Sequence, residues 1–226
     1  TLAVNAGIDM AMIAMDGGII GFIDAVYAGV KDGTIKQERI DDAVRRILRI
    51  KFKMGLFDNP FSNPELRAKI WSDEHQELAR EAVRKSIVLL KNDNKALPLS
   101  TSETVALVGP YADSMGAQSG GWTVGWQGTA AYTERHVKGE TIKTGLETLG
   151  GDKILWRERA DDLGDADKIV VVIGEKPYAE GEGDHGYNSN SVYLRDAPNY
   201  SVLTEAMASG KQIILVIISG RPMILD

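Results

Sequence analysis

The sequence predicts an α/β protein whose second part is a parallel sheet covered by helices on both faces. Three apolar runs that each end in glycine support this prediction: residues 105–109, 169–174 and 213–220. Because the runs are continuous rather than alternating, both faces of each strand should be buried. Helix-forming stretches over 142–149 and 201–209 lie between them, as a layered α/β sheet requires. We expect the loops after the three runs to meet at the carboxyl edge of the sheet, where such folds bind ligands.

The start of the chain predicts a βα unit. Residues 2–12 form a short apolar stretch typical of a strand, and an amphipathic stretch follows over 19–30. No partner strand is predicted within about the next fifty residues, so we expect the neighbours of this strand to lie upstream of Thr1.

A change in composition predicts two domains, 1–55 and 73–226. A helix is expected from about Gln37 to Met54, because apolar residues recur at helical spacing and a glycine follows at the C-cap position. Residues 56–72 contain two prolines and no sustained period, which indicates a linker. In the second domain, Ser72 is the predicted N-cap of a helix to about Lys85, and 87–90 is predicted to be a strand.

Composition excludes several classes of function. The net charge is -6 and the pI is near 5.2, without the clustered Lys and Arg that nucleic-acid binding needs. The absence of cysteine excludes disulfides and thiolate metal sites. The sequence contains no run of about 18 apolar residues, the length needed to span a bilayer. No signal peptide is recognisable at Thr1. Cysteine usage leaves the cellular compartment open.

The segment after the second run is rich in carboxylates. Glu175, Glu180, Glu182 and Asp184 lie close together in sequence, and His185 follows. A general acid needs a carboxyl group on a loop that can reach the substrate, and several of these residues could serve. A solvated acidic loop is an equal alternative. A cation site made from Glu180, Glu182, Asp184 and His185 is a third.

A glycine-rich loop over 120–128 carries two tryptophans. Indole faces pack on the apolar faces of sugar rings, and glycine lets a backbone approach closely. We expect Trp122 to anchor the loop in the core and Trp126 to face a ligand. Both are candidate substrate-binding residues.

Three further patterns are less informative. Met12 follows a predicted strand end, where active-site residues of barrels collect, although core methionine is the ordinary alternative. Arg221 could bind a carboxylate or brace the end of the last strand, and bracing is favoured. No phosphate-binding glycine motif is present, which disfavours a nucleotide-binding domain, and three scattered histidines disfavour zinc.

Taken together, the chain resembles family 3 glycoside hydrolases, particularly the plant-like exo-β-glucanase branch. The likeness spans nearly the whole chain in family order. The segments that carry it are 6–12, 40–48, 53–57, 79–82, 87–92, 120–128, 174–184 and 219–222.

The resemblance implies a fold and an activity. It implies the end of a TIM-type (β/α)8 barrel, a linker and an (α/β)6 sandwich, incomplete at both ends. The family removes terminal β-D-glucosyl residues from β-glucans or oligosaccharides with retention and without a cofactor or metal. A non-catalytic carbohydrate-binding fragment is the alternative.

The resemblance also implies roles for particular residues. Glu180 matches the acid/base, with Glu182 as the alternative; Trp126 matches one wall of a sugar-binding slot, and Met12 lines the glucose site. The nucleophile is an aspartate in a Ser-Asp-Trp-type motif that these residues lack. We therefore expect the chain alone to be inactive, its partners to be the glucan and the rest of the barrel, and the parent to be secreted or periplasmic.

Overall fold

The computed structural model describes residues 1–13, 16–128, 133, 135–184 and 191–225. The chain divides into two compact units, Thr1–Val88 and Leu89–Asp226. The first unit includes the predicted linker, 56–72. The assignment of residues 1–55 to a barrel stays a prediction.

The described part of the first unit is helical. Its helices are α1 (Leu2–Asn5), α2 (Asp16–Lys31), α3 (Gln37–Lys53) and α4 (Asp73–Ser86), with a 3-10 turn at Pro64–Lys69. The prediction of a strand over 2–12 is wrong, because this segment begins with α1 and its other described residues form no ladder. A short apolar run does not distinguish helix from strand, and a strand forms only where a second strand pairs with it.

The predicted boundaries of α3 and α4 are confirmed to within a residue or two. Helix α3 ends at Lys53, and Gly55 has a φ of 68°, in the left-handed region that glycine adopts without strain. Ser72 caps α4 by accepting a hydrogen bond from the His75 N–H at 3.4 Å. The loop after α1 is attached to α3 by an ion pair between Asp9 and Arg39.

The predicted strand over 87–90 is also wrong. Among the described residues it has no strand partner, and each of its four residues is more than 60% exposed. The apolar β-branched composition of this segment favoured a strand, but strand propensity reflects packing against neighbours rather than a backbone preference. No such neighbours cover it in the described chain.

A parallel sheet forms the centre of the second unit. Its described strands are β1 (Val105–Val108), β2 (Ile154–Arg157), β3 (Lys168–Gly174) and β4 (Gln212–Ile218), in the order β2-β1-β3-β4. Strands β1, β3 and β4 are those predicted from the apolar runs. Strand β2 was missed because it is a short edge strand, only partly buried, with an arginine at its end. A six-stranded sandwich stays a prediction.

Helices cover both faces of this sheet, as the continuous apolar runs predicted. Helix α5 (Met115–Ser119) follows β1, α6 (Ile142–Gly150) precedes β2, and α7 (Tyr200–Ala208) lies between β3 and β4. Alternate residues of β3 point to opposite faces: Ile173 packs in the cluster that contains residues of α7, and Val172 in the cluster against α6. Full burial of such a side chain contributes about 1.5–3 kcal/mol.

The other described 3-10 turns are Asp93–Lys95, Pro110–Asp113, Gly151–Lys153, Glu180–Gly183 and Leu194–Asp196.

The strand order creates a switch point between β1 and β3. From β1 the chain moves to one side to form β2, and it then returns across β1 to form β3 on the other side. Loops that leave the carboxyl ends of two such strands diverge and open a crevice, which is where open α/β sheets bind ligands. The loops after Val108 and Gly174 therefore flank the expected site.

No helix in the described ranges is long and apolar enough to cross a membrane.

Candidate functional site

Residues 175–184, here called the acidic loop, leave the carboxyl end of β3. The loop contains the 3-10 turn Glu180–Gly183, and Glu180 and Glu182 are both exposed. Glu180 has a φ of 50°, which an L residue with a side chain adopts at a cost. The loop therefore presents its two candidate acids outward from a strained turn.

Glu175 lies at the base of the acidic loop and is fully engaged. One carboxylate oxygen accepts hydrogen bonds from the Tyr178 hydroxyl at 3.0 Å and the Ser219 hydroxyl at 2.6 Å. The other accepts from Nε of Arg221 at 3.0 Å and from its Nη2 at 2.8 Å. Two N–H groups on a carboxylate give a strong, directional pair. Of the four carboxylates in the loop, Glu175 is thus committed to holding the structure.

Arg221 connects the end of β4 to the far end of the acidic loop. Besides Glu175, its guanidinium donates to the Gly183 carbonyl and, at 3.2 Å, to the Ser191 carbonyl. It also lies 5.2 Å from the centroid of the Tyr178 ring. Arg221 therefore does both things considered from the sequence, since it binds a carboxylate and in doing so braces the strand end.

The same carboxylate affects two tyrosines. Burial, followed by the hydrogen bond to Glu175 and its negative charge, raises the pKa of Tyr178 to about 12. Burial and then the charge of Glu175 raise the pKa of Tyr111. Both hydroxyls therefore hold their protons more tightly than an exposed tyrosine does, and Tyr178 donates a hydrogen bond to Glu175.

Residues 120–128, here called the tryptophan loop, start where α5 ends. Trp122 and Trp126 are 67% and 55% exposed, and their ring centroids lie 6.3 Å apart with an interplanar angle of 50°. The expectation that Trp122 anchors the loop in the core is therefore wrong. Hydrogen bonds to backbone carbonyls hold the loop instead: the Trp122 N–H donates to the Trp126 carbonyl at 2.9 Å, and the Thr123 hydroxyl donates to the Ser119 carbonyl at 3.0 Å.

The tryptophan loop and the acidic loop contact each other directly. The side-chain oxygen of Gln127 accepts a hydrogen bond from the Ala179 N–H at 2.7 Å, one residue before Glu180. A Cβ atom on Gly121 would overlap the Tyr178 carbonyl, so the two backbones approach as closely as glycine permits. The two loops that the sequence singled out are thus joined into one surface.

A cavity of about 480 Å³ lies beside this junction. Glu182 lines it, whereas Glu180 is not among the lining residues. Its other lining side chains include those of Gln127, Tyr178 and Arg221. The two candidate acids therefore face different surroundings within one turn.

Met12 belongs to the first compact unit, and its side chain is fully exposed. Nearby, Asp9 forms ion pairs with Arg39 and, at 3.9 Å, with Arg46. These contacts give Asp9 a structural role in the first unit. The contribution of Met12 to a sugar site stays a prediction.

The cation site considered from the sequence includes His185, which lies outside the described residues. Within the described ranges, no three His, Asp or Glu side chains are grouped so that they could hold a metal ion.

Sequence reasoning missed the contacts that assemble this surface. Gln127 directly follows Trp126 and belonged to the noted motif, but its partner, Ala179, is 52 residues away. Glu175 was counted only as one of four acids. Their roles depend on which strands are neighbours, and no spacing within either loop encodes that.

Comparison with protein families and known proteins gives consistent matches. Residues 87–226 match the model described as the glycosyl hydrolase family 3 C-terminal domain. A lysosomal beta glucosidase of Dictyostelium discoideum is 35% identical, across 99% of this chain and 29% of its own length. A periplasmic beta-glucosidase of Salmonella typhimurium is 28% identical, across 99% of this chain and 32% of its own length.

Solved structures agree with these matches. An exo-1,3/1,4-beta-glucanase from a Pseudoalteromonas species superimposes with a TM-score of 0.83 at 36% identity, across 99% of this chain and 28% of that one. A D270A mutant beta-glucosidase from Listeria innocua, in complex with laminaribiose, gives a TM-score of 0.74 at 26% identity, across 98% of this chain and 30% of that one. The chain thus spans about a third of the length of the relatives it matches.

Proposed function

The chain belongs to glycosyl hydrolase family 3, and on that premise we propose that it supplies the acid/base half of a retaining β-glucosidase or exo-β-glucanase site. Glu180 is the proposed acid/base, with Glu182 as the alternative. Trp126 and Trp122 form the sugar-stacking surface, and Met12 lines the first sugar site. The nucleophile is an aspartate contributed by the rest of the complete protein.

The observation that carries this proposal is the hydrogen bond between Gln127 and Ala179 at 2.7 Å. It joins the loop with two exposed indoles to the loop with two outward-facing carboxyl groups. A sugar that stacks on an indole would present its glycosidic oxygen to an acid close by, and acid catalysis requires this proximity. The junction lies at the carboxyl edge of β1 and β3, where the topology favours a ligand site.

The proposed chemistry needs two carboxyl groups with different roles. In the first step the aspartate bonds to the anomeric carbon, and the bond from that carbon to the glycosidic oxygen breaks. Glu180 donates its proton to the departing glycosidic oxygen at the same time. In the second step the Glu180 carboxylate takes a proton from water, whose oxygen displaces the aspartate. Retention requires the two carboxyl groups to be about 5–5.5 Å apart in the assembled site.

The proposed substrate is a β-glucan or a β-linked gluco-oligosaccharide. It is supported by three of the relatives described above, two β-glucosidases and an exo-1,3/1,4-β-glucanase. We also propose that the parent protein is secreted or periplasmic, because one relative is a periplasmic β-glucosidase. Cell fractionation that recovers the protein only from the cytosol would contradict this location.

The test is the leaving-group dependence of hydrolysis by Glu180→Gly in the complete protein. Loss of the acid should lower kcat/KM for phenyl β-glucoside by about 10²–10⁴-fold, since its leaving group needs protonation. The kcat/KM for 2,4-dinitrophenyl β-glucoside should change little. Glu182→Gly, the same substitution two residues away in the same turn, is the matched control and should not discriminate between the substrates.

The opposite pattern, discrimination by Glu182→Gly alone, would transfer the acid/base role to Glu182. If the unaltered complete protein binds β-gluco-oligosaccharides but hydrolyses none of them, the carbohydrate-binding alternative replaces the enzyme.

A further inference from the structure

The acidic loop is held at two points on its backbone, on either side of Glu180. On one side, the Ala179 N–H donates to Gln127 of the tryptophan loop. On the other, the Gly183 carbonyl accepts from Arg221 at the end of β4. The candidate acid lies between these two contacts, in a turn that the rest of the second unit fixes.

The two attachments differ in what they connect. Arg221 is itself fixed by the two hydrogen bonds to Glu175, and both side chains are mostly buried, at 17% and 11% exposure. That end of the loop is therefore part of the sheet edge. Gln127 belongs to the tryptophan loop, so the other end of the acidic loop follows the position of that loop.

Ala179 is buried, with 5% of its surface exposed. Its N–H would lose its partner if the side chain at 127 could not accept a hydrogen bond, and a buried N–H is rarely left unpaired. Glu180 keeps a φ of 50° next to this contact. Strained backbone of this kind persists only where the surroundings impose it.

We propose that Gln127 is a positioning residue that sets the place of the Glu180 carboxyl through the Ala179 N–H, so that the sugar-stacking loop and the proton donor move as one unit. This inference rests on the proposed function. Gln127 needs no contact with substrate for this role. The physical reason is that proton transfer is sensitive to displacements of about 1 Å, which can cost about 10²-fold in rate.

The test compares two variants of the tryptophan loop in the complete protein. Gln127→Met keeps the length of the side chain and removes the acceptor. Thr123→Val removes a hydrogen bond of the same loop, from the Thr123 hydroxyl to the Ser119 carbonyl, that does not involve the acidic loop. The measured quantity is kcat/KM for 2,4-dinitrophenyl β-glucoside divided by kcat/KM for phenyl β-glucoside.

A displaced acid should raise this ratio by about tenfold or more in Gln127→Met. The ratio should stay at the wild-type value in Thr123→Val. In Gln127→Glu, which retains an acceptor oxygen, the ratio should return most of the way to the wild-type value. A purely structural role would lower the active fraction and slow both substrates equally. Equal slowing by Gln127→Met would therefore overturn the inference.

Two further results keep the test decisive. If Gln127→Met does not fold, Gln127→Asn replaces it, because its shorter side chain withdraws the amide oxygen from Ala179 and the same two outcomes apply. Discrimination by Glu180→Gly without discrimination by the Gln127 variant overturns this inference alone. Discrimination by Glu182→Gly alone transfers the acid/base role to Glu182 and overturns the role assigned to Gln127. No discrimination by either glutamate variant contradicts the proposed function itself.

Discussion

Glu180 combines an unfavourable backbone conformation with an exposed side chain. Its φ of 50° lies in the left-handed region, which costs a residue with a Cβ of the order of 1 kcal/mol or more. Because the Glu180 side chain is exposed, it buries no apolar surface that could offset this cost. Residues that combine strain with exposure are retained where function requires them. Replacing such a residue should lower activity without lowering stability.

Glu180→Gly should therefore leave the free energy of unfolding unchanged or raise it by about 0.5–1 kcal/mol, because glycine adopts positive φ without strain. Urea unfolding of the 226-residue chain measures this directly. A fall in stability of more than about 1 kcal/mol would mean that the Glu180 side chain makes stabilising contacts. The substitution would then be a poor probe of catalysis.

Tyr178 gives a prediction for alkaline pH. Its pKa is raised from 10.0 to about 12 in the folded chain, first by burial and then by the hydrogen bond to Glu175. The folded state therefore holds the phenolic proton more tightly than the unfolded state does. This stabilisation is complete below about pH 10 and is lost as the pH rises towards about 12.

Thermal unfolding of wild type and Tyr178→Phe across that interval checks the sign. The melting temperature of wild type should fall more steeply between about pH 10 and 12 than that of the variant, which has no phenolic proton to lose. Parallel curves would show that the environment of Tyr178 does not favour its neutral form.

At the scale of single elements, close approach of the two loops depends on Gly121. A Cβ at this position would overlap the Tyr178 carbonyl, so one backbone must shift. Gly145, in helix α6, has open space around it. The two glycines therefore form a matched pair for the same substitution.

Gly121→Ala should lower the free energy of unfolding by about 1–3 kcal/mol, the usual cost of overpacking. Gly145→Ala should raise it by about 0.5–1 kcal/mol, since alanine is the better helix former. Urea unfolding measures both. A neutral Gly121→Ala would indicate that the loops are not in contact in solution.

Elements were predictable from sequence where local pattern and tertiary environment agree. Strands β1, β3 and β4 are continuous apolar runs because helices cover both faces of the sheet, and such runs have few alternatives. Residues 2–12 and 87–90 are also apolar, but they lack strand partners among the described residues, and apolarity alone did not reveal that. Strand β2 is an edge strand whose partial burial leaves little pattern.

The site was predictable only in part. The carboxylates and the tryptophans were identified by composition and by the family resemblance. The contact between Gln127 and Ala179 was not, because it depends on β1 and β3 being neighbours in the sheet. The same holds for Arg221 and Glu175, which are 46 residues apart and meet only because β3 and β4 pair.

At the scale of the whole chain, buried and exposed apolar residues should differ sharply in their contribution to stability. Ile173 is fully buried on the face of β3 that packs against α7, whereas Leu90 is 73% exposed. Ile173→Ala should cost about 2–5 kcal/mol in the isolated chain. Leu90→Ala should cost less than about 0.5 kcal/mol. Comparable losses, measured by urea unfolding, would mean that Leu90 is covered in solution.

The whole molecule is proposed to contribute a proton donor and a sugar-stacking surface to a retaining glycosidase. The products formed by Glu180→Gly with 2,4-dinitrophenyl β-glucoside and azide, identified by NMR in the complete protein, test this claim most directly. Without the acid/base, azide can replace water in attacking the glycosyl-enzyme, so we predict β-glucosyl azide from Glu180→Gly and glucose alone from Glu182→Gly. Glucose as the only product of both variants, or an azide product of α configuration, would contradict the claim.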